Sequence, residues 1–136
     1  SSSSAASDVY KRQALTRTHA EAGDPEHLLA ALGGPEFAVL AGVCLGAAEA
    51  GSPVVLDGLA TSVAALIATK FSPGLHGWLV ASHASREHAH QSVLAELGLE
   101  ALMELRMRAG EGVGACLGAQ MILTGLQVRR SAARTC

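Results

Sequence analysis

Aromatic and charged residues are scarce in this 136-residue sequence. One Trp, one Tyr and two Phe are present, and charged residues make up 16% of the chain. So few aromatic rings argue against a stacking surface for single-stranded nucleic acid. The formal net charge is −2 and no basic stripe runs along the chain, so the charge pattern does not favour DNA, RNA or a membrane surface as a partner. Small molecules and other proteins are the partners that we expect.

Cysteine and long apolar segments are also scarce. The three cysteines, Cys44, Cys116 and Cys136, form no CxxC pair. The first two lie in apolar helical patterns, which are typical of buried, reduced thiols and indicate a cytoplasmic protein. The polar N-terminus has no apolar segment of the kind that a signal peptide needs. The longest apolar run, from Phe37, is too short to cross a bilayer and predicts a core helix.

Apolar residues make up 49% of the chain, which is enough for a single folded domain with a buried core. The first 13 residues differ from the rest, because four serines form a low-complexity start and "DVYKRQ" resembles a translated sequencing adapter. We therefore predict a non-native leader at residues 1–13 and a single domain at residues 14–136.

Helix caps and apolar runs divide the domain into alternating elements. Asp24, followed by proline and glutamate, predicts the start of a helix that Gly33 ends, and a second helix runs from Pro35 to about Gly51. The runs "SPVVLDG" and "GWLVASH" are typical of buried parallel strands, and each is followed by a helical pattern, the second of which Gly98 closes.

This order of elements predicts a right-handed βαβ unit. The fold class is therefore α/β, with part of a doubly wound, mostly parallel, Rossmann-like sheet and flanking helices. The later segment "EALMELRMRAGEG" fits either a helix or a strand, and "GVGACLGAQMILTGLQV" predicts an apolar helix.

Polar residues follow both predicted strands at the edge where parallel sheets bind ligands. Asp57 and Gly58 end the first strand, and the segment from Ser82 to Ser85 ends the second. A third polar position, Glu111, lies in the glycine-rich stretch "RAGEGVGA". We expect these positions to contribute to one site.

The glycine-rich stretch formally fits a dinucleotide-binding fingerprint, Gly110-x-Gly112-x-x-Ala115. The preceding segment is too charged for a central parallel strand, and no acidic residue follows at the distance needed to bind a ribose hydroxyl. Glu111 itself is either a solvated turn residue or a general base in a glycine-rich pocket, and from the residues alone the solvated turn is favoured.

Histidines and serines after the second strand are candidates for metal binding and nucleophilic catalysis. His88 and His90 are two residues apart and point to different faces of a helix, so surface histidines are a better interpretation than a metal site for these two and His83. Ser82 and His83 are neighbours at a strand end, so their side chains should diverge. The sequence predicts no metal ion and no cofactor.

Three separated motifs resemble one known family. They are the "GGPE" helix start, "VVLDG" and "GEGVGA", in the family's order between about Asp24 and Val128. Together with "LVASHASREHAH" they are similar to the carboxyl-terminal half of nicotinate-nucleotide–dimethylbenzimidazole phosphoribosyltransferase, an enzyme of cobalamin biosynthesis. The resemblance implies transfer of a phosphoribosyl group from nicotinate mononucleotide to 5,6-dimethylbenzimidazole, with inversion at the anomeric carbon.

The resemblance also implies roles for individual residues. Glu111 matches the family's catalytic base, which takes the imidazole N–H proton. The nucleotide would lie against five further residues, namely Asp57, Gly58, Ser85, Gly110 and Gly112. No cofactor is implied, and the full-length family members are expected to be homodimers with small-molecule substrates.

Family members are considerably longer than this chain. The resemblance implies that an amino-terminal half, with most of the benzimidazole pocket and a "GxGN" segment, has no counterpart here. We therefore expect the carboxyl-terminal part of the domain, with an exposed apolar surface and a tendency to self-associate. A non-catalytic α/β binding or interaction module, or an inactive fragment of the enzyme, is the alternative.

Overall fold

The computed structural model describes residues 2–18, 23–107 and 110–132. The alternation of helices and strands predicted from the sequence is confirmed in these ranges. In chain order the elements are α1 (Ser2–Thr18), α2 (Pro25–Leu32), α3 (Pro35–Glu49), β1 (Val54–Leu56), α4 (Leu59–Phe71), a 3-10 helix (Pro73–Trp78), β2 (Leu79–Ala81), α5 (His88–Glu96) and α6 (Val113–Ala132).

The two strands are parallel neighbours, as predicted for an α/β fold. Val54 pairs with Leu79 and Leu56 with Ala81, and α4 forms the crossover between the strands. The strands are shorter than predicted, because "GW" of the second run belongs to the 3-10 helix.

The segment that fitted either a helix or a strand is neither over residues 99–107. It runs along β2 and pairs with it only locally. The Leu102 N–H donates to the Ala81 carbonyl at 3.0 Å, and the Ala84 N–H donates to the Met103 carbonyl at 2.9 Å. A single parallel bridge joins His83 to Met103. Arg108 and Ala109, which continue this segment, lie outside the described residues.

Helix ends follow the predicted capping residues. Asp24 Oδ1 accepts hydrogen bonds from the N–H groups of Glu26 (2.9 Å) and His27 (3.2 Å), and α2 ends at Gly33. Gly98 has φ +61°, a left-handed conformation that glycine adopts without strain, and it follows Leu97, the C-cap residue of α5. These local signals set the boundaries of the helices.

The core lies between α3, α4 and the strands. Small side chains allow α3 and α4 to pack closely, and Ala65 and Ala68 of α4 are completely buried. Cys44 is buried as predicted, and its burial raises the pKa of the thiol. The matching prediction for Cys116 is wrong, because this residue lies on an exposed face of α6. Cys136 lies outside the described residues.

Helix α3 is only partly a core helix. Ala41 and Cys44 face the core, whereas Val39 and Val43 are exposed. Helix α6 also exposes a row of apolar side chains at helical spacing, which comprises Val113, Leu117, Met121 and Val128. The expected exposed apolar surface is therefore present. None of the described helices is both long and apolar enough to cross a membrane.

Candidate active site

Three segments that are distant in sequence provide most of the lining of one cavity of about 860 Å³, to which Phe37 of α3 and Met107 also contribute. The three segments are the end of β1 with the first turn of α4, the loop after β2, and the turn before α6. Five of the six predicted site residues line this cavity, namely Asp57, Gly58, Ser85, Gly110 and Glu111. Gly112, the sixth, is connected to the same cavity through Asp57.

The turn before α6 is built from three consecutive residues with positive φ. Gly110 has φ +62° and Gly112 has φ +81°, which glycine tolerates. Glu111 between them has φ +54°, which costs a residue with a side chain roughly 1–2 kcal/mol. Strained residues of this kind concentrate at functional sites. The turn presents the Glu111 side chain at the cavity wall.

Asp57 holds this turn in place from the end of β1. Its Oδ2 accepts a hydrogen bond from the Gly112 N–H at 3.2 Å, and its Oδ1 accepts one from the Ala115 N–H at 3.0 Å. Gly112 precedes α6 and has no side chain with which to cap the helix, so Asp57 provides the missing acceptor. A carboxylate at a helix N-terminus also interacts favourably with the helix dipole.

Thr61 fixes the turn between β1 and α4. Its hydroxyl accepts hydrogen bonds from the N–H groups of Asp57 and Gly58, both at 3.0 Å, and donates to the Gly58 carbonyl at 2.9 Å. These two N–H groups already have a partner within the protein, so they are not available to a ligand. The first turn of α4, with Leu59 and Ala60, lines the cavity, and N–H groups in a first turn have no partner within their own helix.

Ser85 is positioned by a buried histidine. The Ser85 N–H donates to Nδ1 of His90 at 3.1 Å, and Nε2 of His90 lies 3.1 Å from the hydroxyl of Ser62. Because Nδ1 accepts, Nε2 has the proton and donates it to Ser62. Burial and the nearby His83 lower the pKa of His90, while Glu87 and Asp57 act in the opposite direction.

The prediction of surface histidines is right for His88 and wrong for the other two. His90 is only 1% exposed, because the start of α5 turns this residue towards α4, and His83 is 7% exposed below the first turn of α6. His88 is exposed. Among the described residues, no group of three or more His, Cys, Asp or Glu side chains is arranged to hold a metal ion.

Ser82 and His83 meet, although their positions in sequence predicted divergence. Regular pairing of β2 ends at Ala81, so the strict alternation of side chains does not extend to them, and the Ser82 hydroxyl lies 3.2 Å from His83 Nδ1. The same hydroxyl donates to the Leu56 carbonyl at 2.6 Å and is completely buried. It is a structural group and not an accessible nucleophile.

Two glycines of α6 allow the helix to pack directly against Ser82 and His83. A Cβ at Gly114 would overlap the ring of His83, and a Cβ at Gly118 would lie 2.8 Å from the Cβ of Ser82. Sequence reasoning did not assign a role to either glycine. The available signal was their spacing of four residues, which places both on one face of a helix.

The fold and the cavity together define an α/β protein with a cavity at the carboxyl edge of parallel strands, the place where such sheets bind ligands. A family model described as "Phosphoribosyltransferase" matches residues 9–135. The chain therefore belongs to the family of nicotinate-nucleotide–dimethylbenzimidazole phosphoribosyltransferases, the name borne by the relatives that it matches. The resemblance found in the sequence is confirmed.

Two of these relatives come from Desulforudis audaxviator and Mycobacterium tuberculosis. The first is 42% identical over 118 residues, which cover 87% of this chain and 33% of the relative. The second is 45% identical over 112 residues, which cover 82% of this chain and 31% of the relative. A crystal structure of the enzyme of this name from Thermus thermophilus is 43% identical, with a TM-score of 0.69 over 71% of this chain and 29% of that one. The chain thus spans only a minor part of these relatives' length.

Proposed function

We propose that this chain contributes the catalytic base to transfer of the phosphoribosyl group from nicotinate mononucleotide to 5,6-dimethylbenzimidazole. The products are α-ribazole 5′-phosphate and nicotinate, in cobalamin biosynthesis. Family membership supports the reaction. The observation that supports the base most directly is Glu111, a carboxylate held in a left-handed turn at the wall of the cavity.

In the proposed reaction, the Glu111 carboxylate takes the N–H proton of the imidazole ring. The other ring nitrogen uses its lone pair to form a bond to the anomeric carbon. The bond between that carbon and the pyridine nitrogen breaks, and its electron pair leaves with nicotinate. General bases contribute about 10²–10⁴-fold in rate, or roughly 3–5 kcal/mol of barrier.

The phosphoribosyl group is proposed to lie between the two strand ends and the turn before α6. Both carboxylate oxygens of Asp57 accept one N–H each and retain lone pairs for a ribose hydroxyl. Gly58 and Ser85 lie at strand-to-helix turns, where small residues, hydroxyls and helix N–H groups suit an anion. Gly110 and Gly112 give the wall its shape.

Assembly and location belong to the same proposal. We propose that the full-length protein is a homodimer, which the exposed apolar rows on α3 and α6 support. We also propose a cytoplasmic location, since Cys44 and Cys116 are unpaired thiols.

The reaction is tested by replacing the matching segment of a full-length relative with residues 24–128 of this chain and measuring α-ribazole phosphate formation. Glu111→Gln keeps the size of the side chain and removes its basicity, so turnover should fall by about 10²-fold or more. The matched control is Glu100→Gln, an exposed carboxylate outside the cavity, which should leave turnover unchanged. Turnover of Glu111→Gln within about threefold of the parent would contradict the role of the base.

Binding separates this proposal from a non-catalytic module. Asp57→Ala and Ser85→Ala in the hybrid enzyme should each weaken nicotinate mononucleotide binding measured by calorimetry. A hybrid that binds the nucleotide equally well with both substitutions would favour the alternative of a module whose cavity has another ligand.

A further inference from the structure

The hydrogen bonds of Ser82 determine which tautomer a neutral His83 ring adopts. The Ser82 hydroxyl lies 2.6 Å from the Leu56 carbonyl, 3.3 Å from the Asp57 carbonyl and 3.2 Å from His83 Nδ1. A hydroxyl has one proton and carbonyl oxygens only accept, so the proton is donated at the shortest distance, to Leu56. His83 Nδ1 must then donate to the Ser82 oxygen. A neutral His83 ring consequently has a lone pair on Nε2.

The lone pair on Nε2 is available from the cavity. Within residues 2–18, 23–107 and 110–132, no protein donor contacts Nε2, and every side-chain polar atom that is completely buried has a hydrogen-bond partner. Nε2 therefore keeps contact with solvent. His83 is 7% exposed and lines the cavity, so this contact is made there.

The ring cannot easily turn to present another atom. Ser82 holds Nδ1 on one side, and the absence of a side chain at Gly114 lets α6 lie directly against the Nδ1 and Cε1 edge. An acceptor that is fixed before the ligand arrives loses little conformational entropy on binding. The site is thus prepared for a hydrogen-bond donor.

The surrounding wall indicates which donor fits. Besides His83, the charged side chains that line the cavity among the described residues are the carboxylates of Asp57, Glu87 and Glu111, which are acceptors, and the guanidinium of Arg86; the Ser85 hydroxyl also lines it. The part of a ligand that faces Nε2 and these carboxylates must donate hydrogen bonds, as the hydroxyl groups of a sugar do. We propose that His83 binds a ribose hydroxyl of the substrate through Nε2, an inference that rests on the proposed nucleotide site.

The test uses the 136-residue chain with ¹⁵N-labelled histidine and two-bond ¹H–¹⁵N correlation spectra near pH 7.5. His83 should show the proton on Nδ1 and a free lone pair on Nε2. Ribose 5-phosphate should shift the Nε2 resonance of His83, whereas His90, whose two nitrogens both bond to the protein, should change less. Sulfate, an anion without hydroxyl groups, should leave the Nε2 resonance of His83 unshifted.

Variants give a second measurement of the same contact. In His83→Asn the amide can still donate to Ser82 but has no atom at the position of Nε2, so ribose 5-phosphate should bind about 2- to 12-fold more weakly. The matched control is His88→Asn, an exposed histidine outside the cavity, which should bind as the parent does.

A proton on Nε2, a His83 resonance that ribose 5-phosphate does not shift, an equal shift with sulfate, or unchanged affinity in His83→Asn would each overturn the proposal. Its failure is distinct from failure of the proposed function. Unchanged turnover in Glu111→Gln would remove the base and leave this ribose contact standing, whereas loss of turnover without a His83 shift would remove only the contact.

Discussion

At the residue scale, His90 makes the stability of the chain sensitive to acid. It is buried as a neutral ring that accepts from Ser85 and donates to Ser62, and its pKa in the folded chain lies below the usual 6.5. Below pH 6.5 the unfolded chain therefore binds a proton that the folded chain does not. The free energy of unfolding should fall as the pH drops from 6.5 towards the lowered pKa and should be restored above 6.5.

This pH dependence can be measured by urea denaturation at pH 7.5 and 5.5. His90→Asn keeps an acceptor for Ser85 and cannot titrate, so it should lose less stability than the parent on acidification. His88→Asn, which alters an exposed histidine of the same helix, should behave like the parent. The groups close to His90 are His83, Glu87 and Asp57. Equal acid sensitivity in His90→Asn and the parent would contradict the role of His90.

Individual site residues were predictable to different degrees. The carboxyl ends of parallel strands share an edge, so Asp57 and Ser85 could be expected near each other from the strand pattern alone. The burial of His83 and His90 could not, because it depends on where short elements end and on which glycines of α6 face them. The roles proposed for the site residues remain predictions.

At the element scale, the packing of α6 depends on Gly114. A Cβ there would overlap the His83 ring and approach Asp57 Oδ1 to 3.0 Å. Gly114→Ala should therefore lower the free energy of unfolding by about 1–3 kcal/mol, the usual cost of overpacking. Because the ring must move, the Nε2 resonance of His83 should shift as well.

Gly125 of the same helix provides the control. A Cβ at Gly125 meets nothing within 4 Å, so Gly125→Ala should stabilise the chain by about 0.5–1 kcal/mol through helix propensity. Urea denaturation of both variants compares helix propensity with packing in one helix. If Gly114→Ala proved as stable as Gly125→Ala, α6 would not be in close contact with the ring.

The helices were more predictable than the strands. Helix ends depend on capping residues such as Asp24 and Gly33, which act within a few positions in the sequence. The extent of β2 depends on pairing with distant segments, and "GW" became part of a 3-10 helix instead. The bridge at Met103 had no local signal, since it comes from hydrogen bonds to Ala81 and Ala84.

At the scale of the whole molecule, the exposed row on α6 should cause self-association. Val113, Leu117, Met121 and Val128 lie on one helix face and are each at least 40% exposed. Sedimentation velocity at micromolar concentrations should detect species larger than the monomer. The double variant Leu117→Glu and Met121→Glu should shift the distribution towards monomer, whereas Gln120→Glu, which adds charge at a polar position, should have a smaller effect.

A monodisperse, cooperatively unfolding monomer would contradict this prediction. It would mean that the apolar rows on α3 and α6 are tolerated in water and need no further protein to cover them. It would also weaken the case for an exposed interface in this part of the family's domain.

The contact between Asp57 and the start of α6 also bears on when the Glu111 turn forms during folding. The two hydrogen bonds join positions 55 and 58 residues apart, so closing this long loop costs entropy and we expect them to form after the local contacts of β1, α4 and β2. Until then the N–H groups of Gly112 and Ala115 lack this acceptor, and the turn at Glu111 has its local bond from the Val113 N–H to the Gly110 carbonyl without the support of Asp57. We therefore expect Glu111, the proposed base, to reach its position late in folding, and a local opening of this helix end should move it away from the cavity while the core stays folded.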